Sequence, residues 1–269
     1  MTPADLSPAL LDELTTTAFE VARGAATVLM RYTSSELREV TTKSSPTDLV
    51  SEADRASEQF ITEAIRRLRP EDSFLGEEGS SYQGTSGVTW VADPLDGTTN
   101  YWYGIPAFAV SLAAVIDGTS VVGVVVDPSR DETWAATAGR GATCNGKPCR
   151  VAAGRSELAT ALVATGFGYG RERRARQASL LPRLLPAVRD IRRFGSAALD
   201  LCWVAGGRFD AYYESNLNEW DWAAGRLICQ EAGGDVRVLA GEIVLAATPD
   251  LAGPLAQLIA APYEGPAGH

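Results

Sequence analysis

Three acidic clusters, far apart in the chain, are the residues most able to do chemistry: Glu77-Glu78, the pair Asp93 and Asp96, and Asp221. The pair sits in Trp90-Val91-Ala92-Asp93-Pro94-Leu95-Asp96-Gly97-Thr98-Thr99-Asn100. An apolar run, Val88 to Ala92, enters this stretch and reads as the end of a buried strand. Pro94 has no N–H and ends ladder pairing. Asp96 follows Asp93 by three residues, so a tight bend can aim both carboxylates at one point. Gly97 lets the backbone approach a ligand closely, and Thr98 and Thr99 can cap a helix or turn that starts there. Two carboxylates beside a run of free N–H groups suit a hard cation and a phosphate together.

Taken singly, each acid has an ordinary structural reason. Glu77 and Glu78 can be a solvated loop, and Asp221 can offset the dipole of a helix that begins beside it. Asp54, three residues after Ser51, completes a capping box. Convergence would change that reading. Acids at strand ends and helix starts can meet at a sheet edge, and a site for two or three Mg2+ ions needs about that many oxygen ligands.

Other chemistries are excluded by composition. The single histidine of the 269 residues is His269, the last one. Ser-His-Asp and Cys-His catalysis, phosphohistidine chemistry and His-ligated zinc are therefore ruled out, because terminal residues are rarely ordered. A net charge of −10 argues against nucleic acid and anionic membrane as partners. The four cysteines, Cys144, Cys149, Cys202 and Cys229, form no Cys-x-x-Cys pair and are too few for a disulfide framework. No stretch has the make-up of a signal peptide, and none approaches a membrane span. The expected compartment is the cytoplasm.

The elements that must position these acids can be read in order. Apolar residues recur at helical period from Ala9 to Tyr32, with Ser7 as N-cap and Gly24 as an interruption or a close packing point. Lys43-Ser44-Ser45-Pro46 reads as a loop. Ser51 to Leu68 is a second amphipathic helix, ended by Pro70. Strands are expected at 73–76, 88–92, 107–116, 121–127 and 133–137, with Asp117-Gly118 as a hairpin turn. From about Arg150 strands and helices alternate: strands at 161–165, 188–192, 209–214, 236–238 and 243–246, and helices at 171–185, 196–205, 220–232 and 251–259. This predicts an α+β half over residues 1–148 with an antiparallel-rich sheet, then an α/β half over 149–269 with a smaller mixed sheet. Together they form alternating layers of helices and sheets. The 45% apolar content supports a sizeable core.

Several motifs together resemble the inositol monophosphatase family. They are Gly76-Glu77-Glu78, the string Trp90 to Asn100, and Trp220-Asp221-Trp222-Ala223-Ala224-Gly225 followed by Glu231-Ala232-Gly233-Gly234. Lys43 to Asp54 resembles the family's lysine loop, and Gly195-Ser196-Ala197-Ala198 with Asp210-Ala211-Tyr212-Tyr213 its second-half signature. Glu214, seven residues before Asp221, stands where the family has a substrate-binding glutamate. The resemblance implies a first Mg2+ on Glu77, Asp93 and the Leu95 carbonyl, a second on Asp93, Asp96 and Asp221, and a weaker third on Glu77 and waters. It implies phosphate on the N–H groups of Gly97 and Thr98, and a water oriented by Thr98 with Asp54. Glu214, Asp221 and the backbone of Gly195, Ser196 and Ala197 would face the polyol, and Lys43 would lie on a loop near the site.

The implied activity is Mg2+-dependent, Li+-sensitive hydrolysis of a small polyol phosphate, myo-inositol 1-phosphate first. Fructose 1,6-bisphosphate, histidinol phosphate and 3′-phosphonucleotides are alternatives, and a metal-binding regulatory protein with little turnover is a reading of a different class. One departure is local: Tyr101-Trp102-Tyr103-Gly104 stands where the family often has Phe-x-His-Gly. That aromatic cluster is the basis for expecting a homodimer, since a lone exposed apolar patch is unfavourable. The basic run from Arg171 to Arg183 and the pair Arg192-Arg193 are solvated faces or the seat of a second phosphate.

Overall fold

A computed structural model describes residues 6–33, 40–42 and 49–260, with side chains over 6–33 and 52–260. The loop carrying Lys43 and the terminal His269 lie outside the described residues, as does the side chain of Ser51.

Two long amphipathic helices come first: α1 (Pro8–Thr33) and α2 (Glu52–Leu68). Between them the short strands β1 (Val40–Thr42) and β2 (Leu49–Ser51) pair antiparallel. α1 is unbroken, and Gly24 marks close packing: a Cβ there would lie 2.5 Å from a ring carbon of Phe60 on α2.

The helices cover one face of an eight-stranded sheet. Its strands are β3 (Ser73–Gly76), β4 (Ser81–Tyr82), β5 (Val88–Asp96), β6 (Ala109–Ile116), β7 (Thr119–Asp127), β8 (Glu132–Thr137), β9 (Ala142–Cys144) and β10 (Lys147–Cys149). A short helix, α3 (Thr98–Tyr103), follows β5. The order β10-β9-β8-β7-β6-β5-β3-β4 is antiparallel except where β3 runs parallel to β5. Every residue of β6 is buried, as a strand covered on both faces requires. Asp117 and Gly118 both take positive φ and close the β6–β7 hairpin, as their sequence predicts.

The second half contributes β11 (Leu162–Thr165), α4 (Arg171–Ala178), α5 (Leu181–Leu184), β12 (Asp190–Arg192), α6 (Ala197–Ala205), β13 (Ala211–Ser215), α7 (Glu219–Glu231), β14 (Asp235–Leu239), β15 (Ile243–Ala247) and α8 (Pro249–Ala260). Its sheet has the order β12-β11-β13-β15-β14, parallel among the first three strands and antiparallel beyond. α6 and α7 fill the space between the two sheets, and α8 covers the far side of the smaller one. The expected layering of helices and sheets is therefore observed. Close approach fixes the middle layer: a Cβ on Gly123 of β7 would sit 2.7 Å from the Ala224 carbonyl oxygen of α7.

Most boundaries fall within two residues of expectation, and three differences have a local cause. The helix expected over 171–185 is two helices, because Pro182 lacks the N–H that would continue the ladder and starts α5 instead. The strand expected from Val188 begins at Asp190, because the N–H of Val188 still closes a helical turn onto the Leu184 carbonyl at 3.2 Å. β5 does not end at Ala92. It continues to Asp96 with a register shift between Asp93 and Asp96, where Pro94 cannot donate to the ladder.

Candidate active site

The bulge in β5 creates the site. Pro94 interrupts pairing, the Leu95 N–H turns back to Asp93 Oδ1 at 2.9 Å, and both aspartates are carried to the strand's end. Glu77 follows the parallel neighbour β3, tied to β5 by its N–H on the Ala92 carbonyl at 3.2 Å. Asp221 arrives from the other side, in the first turn of α7, where Oδ2 accepts the Asn218 N–H at 2.6 Å. These four acids line one cavity of about 580 Å³ together with Leu95, Gly97, Thr98, Gly195, Ala197 and Glu214. Residues separated by more than a hundred positions are thus brought together as their sequence context predicts.

Four expectations are refined by the coordinates. Glu78 does not line the cavity; its N–H is taken by Glu58 Oε2 at 2.7 Å. Neither threonine caps α3. Gly97 takes the N-cap position with φ 93° and ψ 35°, which a side chain would strain. Thr98 instead points its hydroxyl at the Leu95 carbonyl (3.1 Å) and at Asp54 Oδ2 (3.3 Å), so the Thr98–Asp54 pair does form. Ser196 is fully buried and does not line the cavity; its hydroxyl donates to Asp96 Oδ2 at 2.7 Å. Glu214 lies inside β13, opposite Val244, and not at the strand's end. Its neighbour two residues back on the same face, Tyr212, donates to Glu214 Oε2 at 2.9 Å.

The electrostatics follow from burial and crowding. Asp93 is held well above the usual carboxylate range, first by burial and then by the charges of Glu77, Asp96, Asp221 and Asp54. Asp221 is likewise raised well, by burial and then by Asp96 and Glu77. Asp96 is raised only to about 6: burial lifts it, while Ser196 and the N–H groups of Ala198 and Ala197 at the start of α6 hold it down. Glu214 rises to about 7, chiefly through burial, against the pull of its Tyr212 hydrogen bond and of Arg193 and Arg173.

The donor set fits hard divalent cations in kind and charge, since it consists of carboxylates and a carbonyl. Among the described residues no three acidic, histidine or cysteine side chains stand close enough to grip an ion as they lie. Asp93, Asp96 and Asp221 are each engaged by protein donors instead.

Several lining residues were not singled out from sequence. Gly166-Phe167-Gly168-Tyr169-Gly170, between β11 and α4, forms the wall facing Glu214. A Cβ on Gly166 would lie 2.5 Å from Glu214 Oε1. The alternating glycines are the signal that could have drawn attention to it. Asn216, Leu217 and Asn218 also line the cavity, with Trp220 from the motif around Asp221, Arg173 from the basic run and Arg193 from the arginine pair read in the sequence.

Comparison with known proteins shows the family. The model of the inositol monophosphatase family matches residues 10–264. The chain belongs to that family. It is 46% identical over 227 residues to the inositol-1-monophosphatase SuhB of Mycobacterium tuberculosis, covering 79% of this chain and 78% of that one. It is 46% identical over 204 residues to the Nus factor SuhB of Pseudomonas aeruginosa, covering 72% and 73%. Its fold matches the extragenic suppressor protein suhB from Bartonella henselae with a TM-score of 0.87 and 36% identity, over 92% of this chain and 98% of the other. This family member is a phosphoric monoester hydrolase.

One further buried acid in the phosphatase is incompletely hydrogen-bonded among the described residues. Asp200, on α6, is 1% exposed, and its Oδ1 meets no hydrogen-bond donor among the described residues. Burial first, then Glu214 and Asp96, raise it well above the usual range. An acid raised on folding contributes stability that is complete below its unfolded value of about 4 and is lost as pH rises through the folded value. Asp200→Asn should therefore stabilise the metal-free phosphatase little at pH 4.5 and by about 1–3 kcal/mol at pH 8, or roughly 2–4 °C per kcal/mol in a chain of this size. Calorimetry at the two pH values checks this; an equal gain at both would show that charge is not the cause.

Proposed function

We propose that this phosphatase hydrolyses the phosphate monoester of a small polyol, with myo-inositol 1-phosphate as the leading substrate and Mg2+ as the cofactor. The observation that carries the reading is that Glu77, Asp93, Asp96 and Asp221 share one cavity with Glu214 and with Thr98, whose hydroxyl is backed by Asp54. The metal, phosphate and polyol assignments implied by the family resemblance are carried forward here as proposals. Glu77, Asp93 and the Leu95 carbonyl would hold one ion, and Asp93, Asp96 and Asp221 a second. When bound, Mg2+ supplies positive charge for the phosphoryl and leaving oxygens and lowers the pKa of water.

The protein groups would do the rest. The Gly97 and Thr98 N–H groups bind phosphate oxygens at the start of α3. The Thr98 hydroxyl keeps its proton toward Asp54, so a lone pair on Oγ1 is free to accept a hydrogen from water and aim that water at phosphorus. Asp54 is buried and keeps Oγ1 in this orientation. Glu214, Asp221 and the backbone of Gly195 and Ala197, on either side of the buried Ser196, face the polyol. Residues 1–148 then supply most of the acids and 149–269 most of the substrate rim, with Asp221 crossing that division.

The test is inorganic phosphate release from myo-inositol 1-phosphate with Mg2+, with chelator, and with Li+. Release should vanish with chelator and be inhibited by Li+ at millimolar levels in competition with Mg2+, because the second site is small and anionic. Release that survives chelation removes the metal assignment, and Li+ that competes with substrate removes the second site. The same assay separates a second reading, a metal-binding regulatory protein with little turnover, suggested by the relative named a Nus factor.

We also propose a homodimer in the cytoplasm. Tyr101 is buried, but Tyr103 is 72% and Ile105 49% exposed on one surface segment, which a second copy would cover. Light scattering giving a monomer mass at micromolar concentration would reject the dimer. All four cysteines are free thiols, as suits a reducing compartment, and no described helix is long and apolar enough to cross a membrane.

A further inference from the structure

The buried face of α2 changes character along its length. Asp54, Ser57, Glu58, Ile61 and Ile65 recur at helical spacing, and all are 3% exposed or less. The two isoleucines belong to the apolar core, as such positions should. The first three residues are polar, and a buried polar group costs free energy unless it is hydrogen-bonded. Each is bonded to a different segment of the acidic site. Asp54 takes the Thr98 hydroxyl at 3.3 Å. Ser57 donates its hydroxyl to the Pro94 carbonyl at 2.9 Å, between Asp93 and Leu95 in the bulge of β5. Glu58 accepts the Glu78 N–H on Oε2 at 2.7 Å and the Ser80 N–H on Oε1 at 2.9 Å, across the turn that carries Glu77.

That turn is closed without Glu58. The Gly76 N–H bonds to the Ser80 carbonyl at 2.9 Å, and Gly79 supplies the positive φ. What Glu58 adds is a tie from the turn to α2. A Cβ on Gly76 would collide with the Glu58 carboxylate, so the motif Gly76-Glu77-Glu78 opens on glycine because an acid from another element lies against it. Ser57 and Glu58 are adjacent on one helix, so the bulge and the turn are held to the same rigid frame. Neither residue lines the cavity.

We propose that Ser57 and Glu58 are positioning residues for the ion assigned to Glu77, Asp93 and the Leu95 carbonyl. Ser57 fixes the bulge that bears Asp93 and Leu95, Glu58 fixes the turn that bears Glu77, and α2 sets the distance between them. The inference rests on the reading of those three groups as an ion site.

The experiment is calorimetric titration of Mg2+ into the metal-free protein, without substrate, for wild type and for Glu58→Gln, Glu58→Asp and Ser57→Ala, each well below its melting temperature. The dissociation constant of the tighter ion should rise roughly ten- to a hundredfold in both Glu58 variants, the usual effect of losing a group that orients a metal ligand. Gln keeps the length but offers one acceptor for two N–H groups. Asp keeps the charge but is one carbon too short to reach both, so it should bind Mg2+ no better than Gln. Ser57→Ala should cost about three- to tenfold, the value of one neutral hydrogen bond. It deletes a single oxygen from a helix position that favours alanine, so it decides the matter should the Glu58 variants not fold. A merely structural role would lower the melting temperature and the number of competent molecules, yet leave the dissociation constant of the folded fraction unchanged; that result overturns the proposal. So does affinity kept in Glu58→Asp and lost in Glu58→Gln, which would mean that the carboxylate acts through its charge. A wild type that takes up no Mg2+ overturns the ion site and the positioning role with it, whereas variants that bind as wild type does overturn the positioning role alone.

Discussion

Replacing Asp93 by asparagine should leave less than about a tenth of wild-type phosphate release, because losing a carboxylate shared by two ions removes several kcal/mol of transition-state stabilisation. The substitution is nearly isosteric and keeps an oxygen for the Leu95 N–H that Asp93 now accepts at 2.9 Å. The fold should survive it. The metal-free Asp93→Asn variant should melt no lower than wild type at pH 7.5, and higher if Asp93 is ionised or must take up a proton on folding. Asp93 is 2% exposed and raised well above the usual range by burial and four neighbouring acids, so a neutral side chain relieves repulsion. Phosphate release and calorimetry on the same sample decide the matter. Activity above a tenth would sink the bridging role. Lost activity with a lower metal-free melting temperature would make Asp93 a structural residue.

The second large effect is expected at Glu214. Glu214→Gln should reduce kcat/KM for myo-inositol 1-phosphate roughly ten- to a hundredfold, the value of a charge-assisted hydrogen bond to a substrate hydroxyl. The loss should fall mainly in KM, and it should be smaller for a flat aromatic phosphate without those hydroxyls. Position supports this split. Glu214 lies on the wall facing Gly166, stapled by the Tyr212 hydroxyl, and is not one of the four clustered acids. Gly166→Ala tests the same placement from the other side, because the three atoms nearest a Cβ at 166 all belong to the Glu214 carboxylate. It should raise KM as Glu214→Gln does, yet cost little more in a Glu214→Ala background, where the obstructed group is gone. Equal losses on both substrates would mean Glu214 acts through metal or fold. Additive losses in the double variant would mean that Gly166 acts elsewhere.

Much of this site was legible in the chain itself. The acids sit where short-range rules put them, and those rules need no tertiary contact. An apolar run ends in Asp-Pro at Asp93-Pro94, a four-residue strand runs into Glu77, and a polar turn opens the helix that carries Asp221. Their order and spacing were enough to carry the family resemblance, which the matched family model bears out. The same rules gave the layered succession of elements and the β6–β7 turn, because hydrophobic period and a positive-φ Asp-Gly are local properties.

Other features depend on neighbours distant in sequence. Pro94 marks an interruption in any strand, but only pairing with β6 turns it into a bulge that continues to Asp96 and presents both aspartates together. Ser196 reads as a residue of a polyol-facing backbone; the packing of α6 under β5 makes it instead the donor that holds Asp96. The glycines at 166 and 168 alternate along the chain, but the pattern does not say what they face, since their reason is the bulk of Glu214 and Arg173 across a gap. Charge behaves in the same way. Along the chain Arg173, Arg174, Arg192 and Arg193 are one basic character, and tertiary geometry alone pairs Arg192 with Asp190, ties Arg174 to loop carbonyls, and leaves Arg173 and Arg193 facing the cavity. Sequence by itself determined which groups this protein has for its chemistry, because residue type and local backbone preference travel with the chain. Which of them face one another was decided only by the packing of β5, α6, α7 and β13, because burial and Coulomb repulsion act through space.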